Sequence, residues 1–241
     1  MTPHDRPLFL HLSNRLEWLA EQLADDLAED AAAPMTQQGI VVANHESSRW
    51  LSLQVARRRG LSMGLRFPFP RGMVDELTTA LLGTEQRCSP CFSRSAMTWW
   101  LYDRLPRFLD DPHFAPVRHY LRDGADIRRF ELITRIAGLF DQYQIYRPDQ
   151  LRGWESARSI GERSNDGVAT DTLPGEIWQA LLWRALRAEF PRAISFVDLH
   201  AKMAALDEQQ IAAAPLPERL RIFGVNSLPP AFLDIFWKVG F

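Results

Sequence analysis

Four short apolar runs and the spacing between them constrain the fold of this chain more than any other feature. Leu8 to Leu12, Gly39 to Ala43 and Leu65 to Phe69 each end in a polar or proline-bearing turn. Each is then followed by apolar residues at helical spacing: Leu16, Leu19, Leu23 and Leu27 after the first, a helix from about Arg49 to Gly60 after the second, and Met73, Leu77, Leu81 and Leu82 after the third. The β signal then lapses and returns only at Leu220 to Val225, with another helix beginning near Pro229. Strand and helix alternating in this way predict an α/β fold with a parallel sheet and crossover helices. Asn14 with Glu17 three residues on has the form of a capping box for the first helix. Proline limits the pairing of the third run.

Between the third and fourth runs the pattern is helical throughout, over about 95–109, 113–122, 126–146, 175–190 and 195–210. Arg158 to Thr172 is polar and glycine-containing and reads as a mobile loop. The economical arrangement is one α/β domain, 1–92 plus 215–241, interrupted by an all-helical subdomain at 93–214. A four-strand sheet whose last crossover is barely complete reads as truncated, the front end of a longer protein.

Composition narrows the function classes. With 241 residues, 46% of them hydrophobic, the chain can bury a substantial core. A net charge of −2 supplies no global field for nucleic acid or anionic membrane, so any basic footprint is local. Lys202 and Lys238 are the only lysines, and arginine is the better partner for phosphate forks and base edges. Met1 to Pro7 lacks a secretory signal and no apolar stretch approaches a membrane span, so the expected location is the cytoplasm. Cys88 and Cys91 form a solitary Cys-x-x-Cys, too few ligands for zinc and not placed as a redox pair, and read as reduced loop thiols.

The strand-to-helix turns invite a nucleotide reading that the residues then refuse. His11-Leu-Ser-Asn-Arg-Leu16 has neither the glycines nor the lysine of a Walker A loop, and neither lysine of the chain follows a glycine. The fourth strand ends in Gly224-Val225-Asn226, where magnesium and an attacking water would want carboxylates, and Asp234 lies well along the next helix. ATP turnover by this segment is therefore not expected. The six histidines, His4, His11, His45, His113, His119 and His200, show no metal-ligand spacing, and no hydrolase elbow or nuclease constellation is found around Asp198 and Lys202. Asn226 and Ser227 read as turn and cap residues.

Two polar features remain. Asn44-His45-Glu46-Ser47-Ser48-Arg49-Trp50 follows the second strand. Its plain reading is a helix cap by Ser47 or Ser48 with Trp50 in the core; its functional reading is a grip on a nucleic-acid strand by hydrogen bonds and stacking. In Gly138 to Pro148, Asp141, Gln142 and Gln144 intrude among aromatics, which is either amphipathic packing or a polar binding face.

Together these words resemble the RecC family, the gamma chain of the exodeoxyribonuclease V (RecBCD) helicase–nuclease. The matching words, in order, are His11 to Leu16, Trp50-Leu51, Phe67-Pro-Phe-Pro70, Arg118-His-Tyr-Leu121, Leu139-Phe-Asp-Gln-Tyr143 with Tyr146-Arg-Pro-Asp149, and Phe223-Gly-Val-Asn-Ser-Leu-Pro-Pro230. The resemblance implies a superfamily 1, P-loop-type helicase-like core that has lost its ATPase motifs and carries a helical insertion. It implies a non-catalytic subunit that binds no cofactor itself, while RecB-like and RecD-like partners use ATP and magnesium. It implies contact with single-stranded and forked DNA, channelling of the 3′-ended strand, recognition of Chi, and a role in recombinational break repair. The DNA-contacting positions it implies are His45 and Arg49 in the turn after the second strand, Phe69, the run Leu139, Asp141 and Gln142, and Arg192 after Pro191. The turn Ala43 to Arg49 departs from the enterobacterial residue types, and Met73 to Asp75 lacks a family aromatic, so the octamer read need not be the same. A purely structural interaction module is the competing reading.

Overall fold

The computed structural model describes residues 9–29, 37–122, 124–156 and 175–240. In chain order the elements are α1 (Leu16–Glu29), β1 (Gln38–Val42), α2 (His45–Arg59), β2 (Leu65–Arg66), α3 (Pro70–Leu82), α4 (Arg94–Arg104), α5 (Ala115–Tyr120), α6 (Asp126–Tyr146), α7 (Pro148–Ser156), α8 (Ile177–Glu189), α9 (Phe196–Ala205), α10 (Glu208–Ala213), β3 (Arg221–Phe223) and α11 (Pro230–Gly240). Contacts fall into two compact units, 1–85 with 203–241, and 86–202. Gln86 to Phe92 thus go with the helical unit, and Met203 to Ala214, drawn with the helices from sequence, go with the sheet.

The sheet unit is α/β. β1 lies between β2 and β3, parallel to both, with Gln38 opposite Leu65 and Val42 opposite Phe223. Three consecutive β-branched residues suit a central strand buried on both faces. Ile40 and Val42 pack with Ala20, Ala24 and Leu27 of α1 and Leu51 and Val55 of α2. Val41 is also fully buried and alternation turns it to the opposite face, where α3 packs on β1 and α11 packs on α3. Each Val, Leu or Ile side chain so removed from water contributes about 1.5–3 kcal/mol. Ion pairs fix α1 over its neighbours: Arg58 grips both oxygens of Asp25 at 2.9 Å, and Arg221 donates to Asp26 at 2.8 Å.

The first expected strand is not formed. Residues 9–12 have no ladder partner among the described residues, and Phe9, Leu10 and Leu12 are 74%, 73% and 79% exposed. A short apolar run makes a strand only where a backbone edge is available to pair with it. The capping box at Asn14 is also absent; the Ser13 hydroxyl instead accepts the Arg15 amide, and a reciprocal box forms at Asp207 with Gln210 on α10. β2 is only two residues long, although Pro68 O still accepts the Val42 amide at 3.1 Å and extends the pairing toward the strand tip.

In the helical unit α6 spans the expected 126–146. The segment expected at 95–109 ends as a helix at Arg104 and continues as a 3-10 turn, Leu105–Phe108, because Pro106 cannot donate into the ladder. The segment at 195–210 is two helices broken between Ala205 and Asp207. α7 was not anticipated; Arg158 to Thr172 lies outside the described residues. Trp183 centres the core, its ring 5.8 Å from Phe92 and 5.6 Å from Phe140, and its indole donates to Glu155 Oε1 at 2.8 Å. Beside it Arg187 pairs with Glu155 at 3.2 Å and Asp198 at 3.1 Å, donates to Ala193 O at 3.1 Å, and lies 5.2 Å over Phe92. Asp198 in turn accepts from the Ser195 amide and hydroxyl, so one guanidinium ties α7, α8 and α9 together.

Candidate nucleic-acid interface

All three strands of the sheet run parallel, so their carboxyl ends lie side by side in the order β2, β1, β3. This is the edge at which open α/β sheets place their ligands. At the β1 tip Asn44 caps α2, its side-chain oxygen accepting the Ser47 amide at 2.8 Å. Neither serine is therefore the cap, and Ser48 instead donates to His45 O at 2.7 Å. Trp50 is half-buried and stacks on Phe223, 6.2 Å away and 25° inclined, which makes it a packing residue.

His45 is exposed, and its ring meets Phe69 edge-on, with centroids 4.8 Å apart and planes at 80°. The two residues come from turns after different strands, and the parallel pairing of β1 with β2 brings them together. Arg49 stands one turn along α2, exposed and without a hydrogen bond or ion pair among the described residues. An aromatic ledge beside an uncommitted guanidinium can stack a base and hold a phosphate. A cavity of about 290 Å³ lies at the other end of the sheet, around Gly39, Met73 and Leu220, where Glu76 already occupies Arg66.

In the helical unit the structure separates residues that the sequence grouped. Leu139 and Gln142 are exposed on one stripe of α6, which continues to Tyr146, 55% exposed. Asp141 is half-buried and about 160° around the helix from Leu139. Gln144 is a core residue, donating to Phe92 O and accepting the Phe196 amide, each at 3.3 Å. Arg192 is exposed in the turn between α8 and α9, and no described contact joins it to the α6 stripe. Tyr146 belongs to a family-resembling word but not to the DNA-contacting positions the resemblance implies; its i+7 spacing from Leu139 is the signal that places it on the same stripe. Arg147 next to it leans over Tyr143, 5.5 Å from the ring.

The shifted carboxyls belong to the scaffold. Glu189 is pulled down to about 2 by hydrogen bonds from Arg104 and then Trp100. Glu155 is pushed up by burial, against the opposing Trp183 hydrogen bond and Arg187 charge. Burial likewise raises the Cys91 thiol, which like Cys88 is not in a disulfide. Among the described residues no group of three His, Cys, Asp or Glu side chains is arranged to hold a metal ion, and no helix is long and apolar enough to cross a membrane.

The family model described as "RecC, N-terminal domain" matches residues 8–240. Among curated proteins, the RecBCD enzyme subunit RecC of Haemophilus influenzae is 31% identical over 96% of this chain and 22% of its own length. The subunit of the same name from Escherichia coli K12 is 30% identical over 97% of this chain and 20% of its own. That of Mycolicibacterium smegmatis is 30% identical over 95% and 20%. The chain thus spans about a fifth of the length of these relatives. An α/β unit with its strand tips open and a helical unit between its two sequence segments accompany a match over nearly every residue, and the chain belongs to the RecC family, of which it carries the N-terminal domain.

Proposed function

We propose that this chain is a non-catalytic, strand-contacting and scaffolding part of a RecBCD-type helicase–nuclease, with a helicase-like sheet unit that has lost its ATPase motifs. In this reading it partners RecB-like and RecD-like subunits, binds neither ATP nor magnesium itself, channels the 3′-ended strand of forked DNA and takes part in reading Chi during recombinational repair. The observation that carries it is the edge-on His45–Phe69 pair beside the unpaired Arg49 at the carboxyl end of a parallel sheet. An active ATPase would instead need a glycine-rich turn with a lysine and a carboxylate at the β3 tip. The second reading, a structural module without DNA contact, draws on Phe140 and Gln144, which bury one side of α6 in the core.

The two readings part in the full-length complex carrying Arg49→Ala together with Asp141→Ala and Gln142→Ala. With assembly intact, the strand-contacting reading expects a lost Chi response and a salt dependence of strand binding about 0.7 shallower for the missing cation. An unchanged Chi response in a normally assembled complex would favour the structural module.

A further inference from the structure

The third strand tip carries polar groups that the fold itself does not use. β3 ends at Phe223 opposite Val42, so Gly224 to Ser227 lie beside Ala43 to His45 on the same edge of the sheet. Gly224 turns the chain at φ +61, and nothing stands within 4 Å of where its Cβ would be. That leaves room for another backbone to approach closely. The first backbone bonds of α11, from Phe232 and Leu233, go to Pro229 O, so Asn226 and Ser227 are upstream of the cap and do not close the helix. This corrects their reading as cap residues.

Both side chains are exposed. Among the described residues, neither they nor the amides of Val225 to Leu228 make a hydrogen bond within the protein. The neighbouring tip behaves otherwise: Asn44, in the turn after β1, spends its side-chain oxygen on the cap of α2. Behind the turn, the Trp50–Phe223 stack holds the end of β3 in place, so the free groups stand on a fixed base.

We infer that the β3 tip, through Asn226, Ser227 and the adjoining amides, is a third element of the strand-binding edge and hydrogen-bonds the phosphodiester backbone of a single-stranded nucleic acid whose bases pack at His45 and Phe69. The chemistry matches. A neutral amide, a hydroxyl and backbone N–H groups position a phosphate without adding charge, while Arg49 supplies the charge. The inference rests on the strand-contacting reading above and extends it to a tip that reading does not include.

The test uses the full-length chain in its assembled complex, with p-benzoylphenylalanine introduced one position at a time. The replacements are Asn226→p-benzoylphenylalanine, Phe69→p-benzoylphenylalanine and, as an exposed control on α11, Leu233→p-benzoylphenylalanine. After irradiation with an end-labelled oligothymidylate, positions 226 and 69 are expected to label the strand at yields of the same order, and position 233 not to. Labelling from 69 without labelling from 226 overturns the inference alone. Labelling from neither overturns the strand-contacting reading and the inference with it. A second variant avoids the bulky probe: Asn226→Ala with Ser227→Ala is expected to lower strand labelling from position 69 by about two- to tenfold, the loss of one or two hydrogen bonds. Unchanged labelling in that variant overturns the inference.

Discussion

Replacing Arg187 with alanine tests whether the helical unit depends on a single guanidinium. The change removes ion pairs to Glu155 at 3.2 Å and Asp198 at 3.1 Å, the hydrogen bond to Ala193 O, and the cation over Phe92. It leaves two acids facing one another without their cation. Losing one partner of a fully buried pair costs about 3–5 kcal/mol. The three side chains here retain 20%, 24% and 28% exposure, so water relieves part of that, and about 2–4 kcal/mol is expected. For a chain of this size that loss lowers the unfolding temperature by roughly 5–15 °C. Thermal and urea unfolding followed by circular dichroism measure it. Adding Glu155→Gln and Asp198→Asn to Arg187→Met should recover much of the loss, because the partly buried charges are then gone as a set. A loss under about 0.5 kcal/mol for Arg187→Ala would refute the reasoning, since surface changes alone reach that size.

Other outcomes follow from the same structure. Glu189 has its carboxyl lowered to about 2 in the folded chain, so its stabilising contribution is complete above the ordinary value of 4.5 and is lost as pH falls from there toward 2; with this side chain well exposed, Glu189→Gln should remove at most about 1 kcal/mol of acid sensitivity in unfolding measurements. Glu155 has the opposite sign: its carboxyl is raised, so its contribution is complete below 4.5 and is lost as pH rises through the raised value, and Glu155→Gln should flatten that slope. Asn44→Ala removes the cap of α2 and should cost about 1 kcal/mol by urea unfolding, whereas Ser47→Ala should be close to neutral. The chain is expected to release no phosphate from ATP, with or without a single strand, in a coupled phosphate assay.

Long periodic elements and the parallel sense of the sheet were legible in the sequence; which strands pair, and in what register, was not. α6 and α3 stood out because many turns repeat one apolar face, β1 because three β-branched residues run together, and β3 because a short apolar run returns after a long helical stretch. Leu8 to Leu12 shows how far such a pattern reaches: a short apolar run suits a strand, but forming one also takes a partner edge, which no local pattern encodes. α7 was missed because Pro148 reads as the stop of α6, while proline at a first helical position equally starts the next helix. The candidate site was legible in its residue types but not in its geometry. His45 and Phe69 meet only because β1 and β2 pair in parallel. Asp141 and Leu139, adjacent to Phe140 on either side, turn to different faces of α6. Gln144, polar among aromatics, fits either packing or a binding face in the sequence, and the structure makes it a bridge between backbone groups in the core. The network around Arg187 joins residues from three helices and left no sequence signal.

The most direct measurement is a structure of the full-length complex with a single strand bound. The account predicts a base in van der Waals contact with the His45–Phe69 pair and a phosphate within hydrogen-bonding distance of Arg49. A strand that bypasses the carboxyl ends of β1 and β2 and leaves those three side chains in water would contradict it.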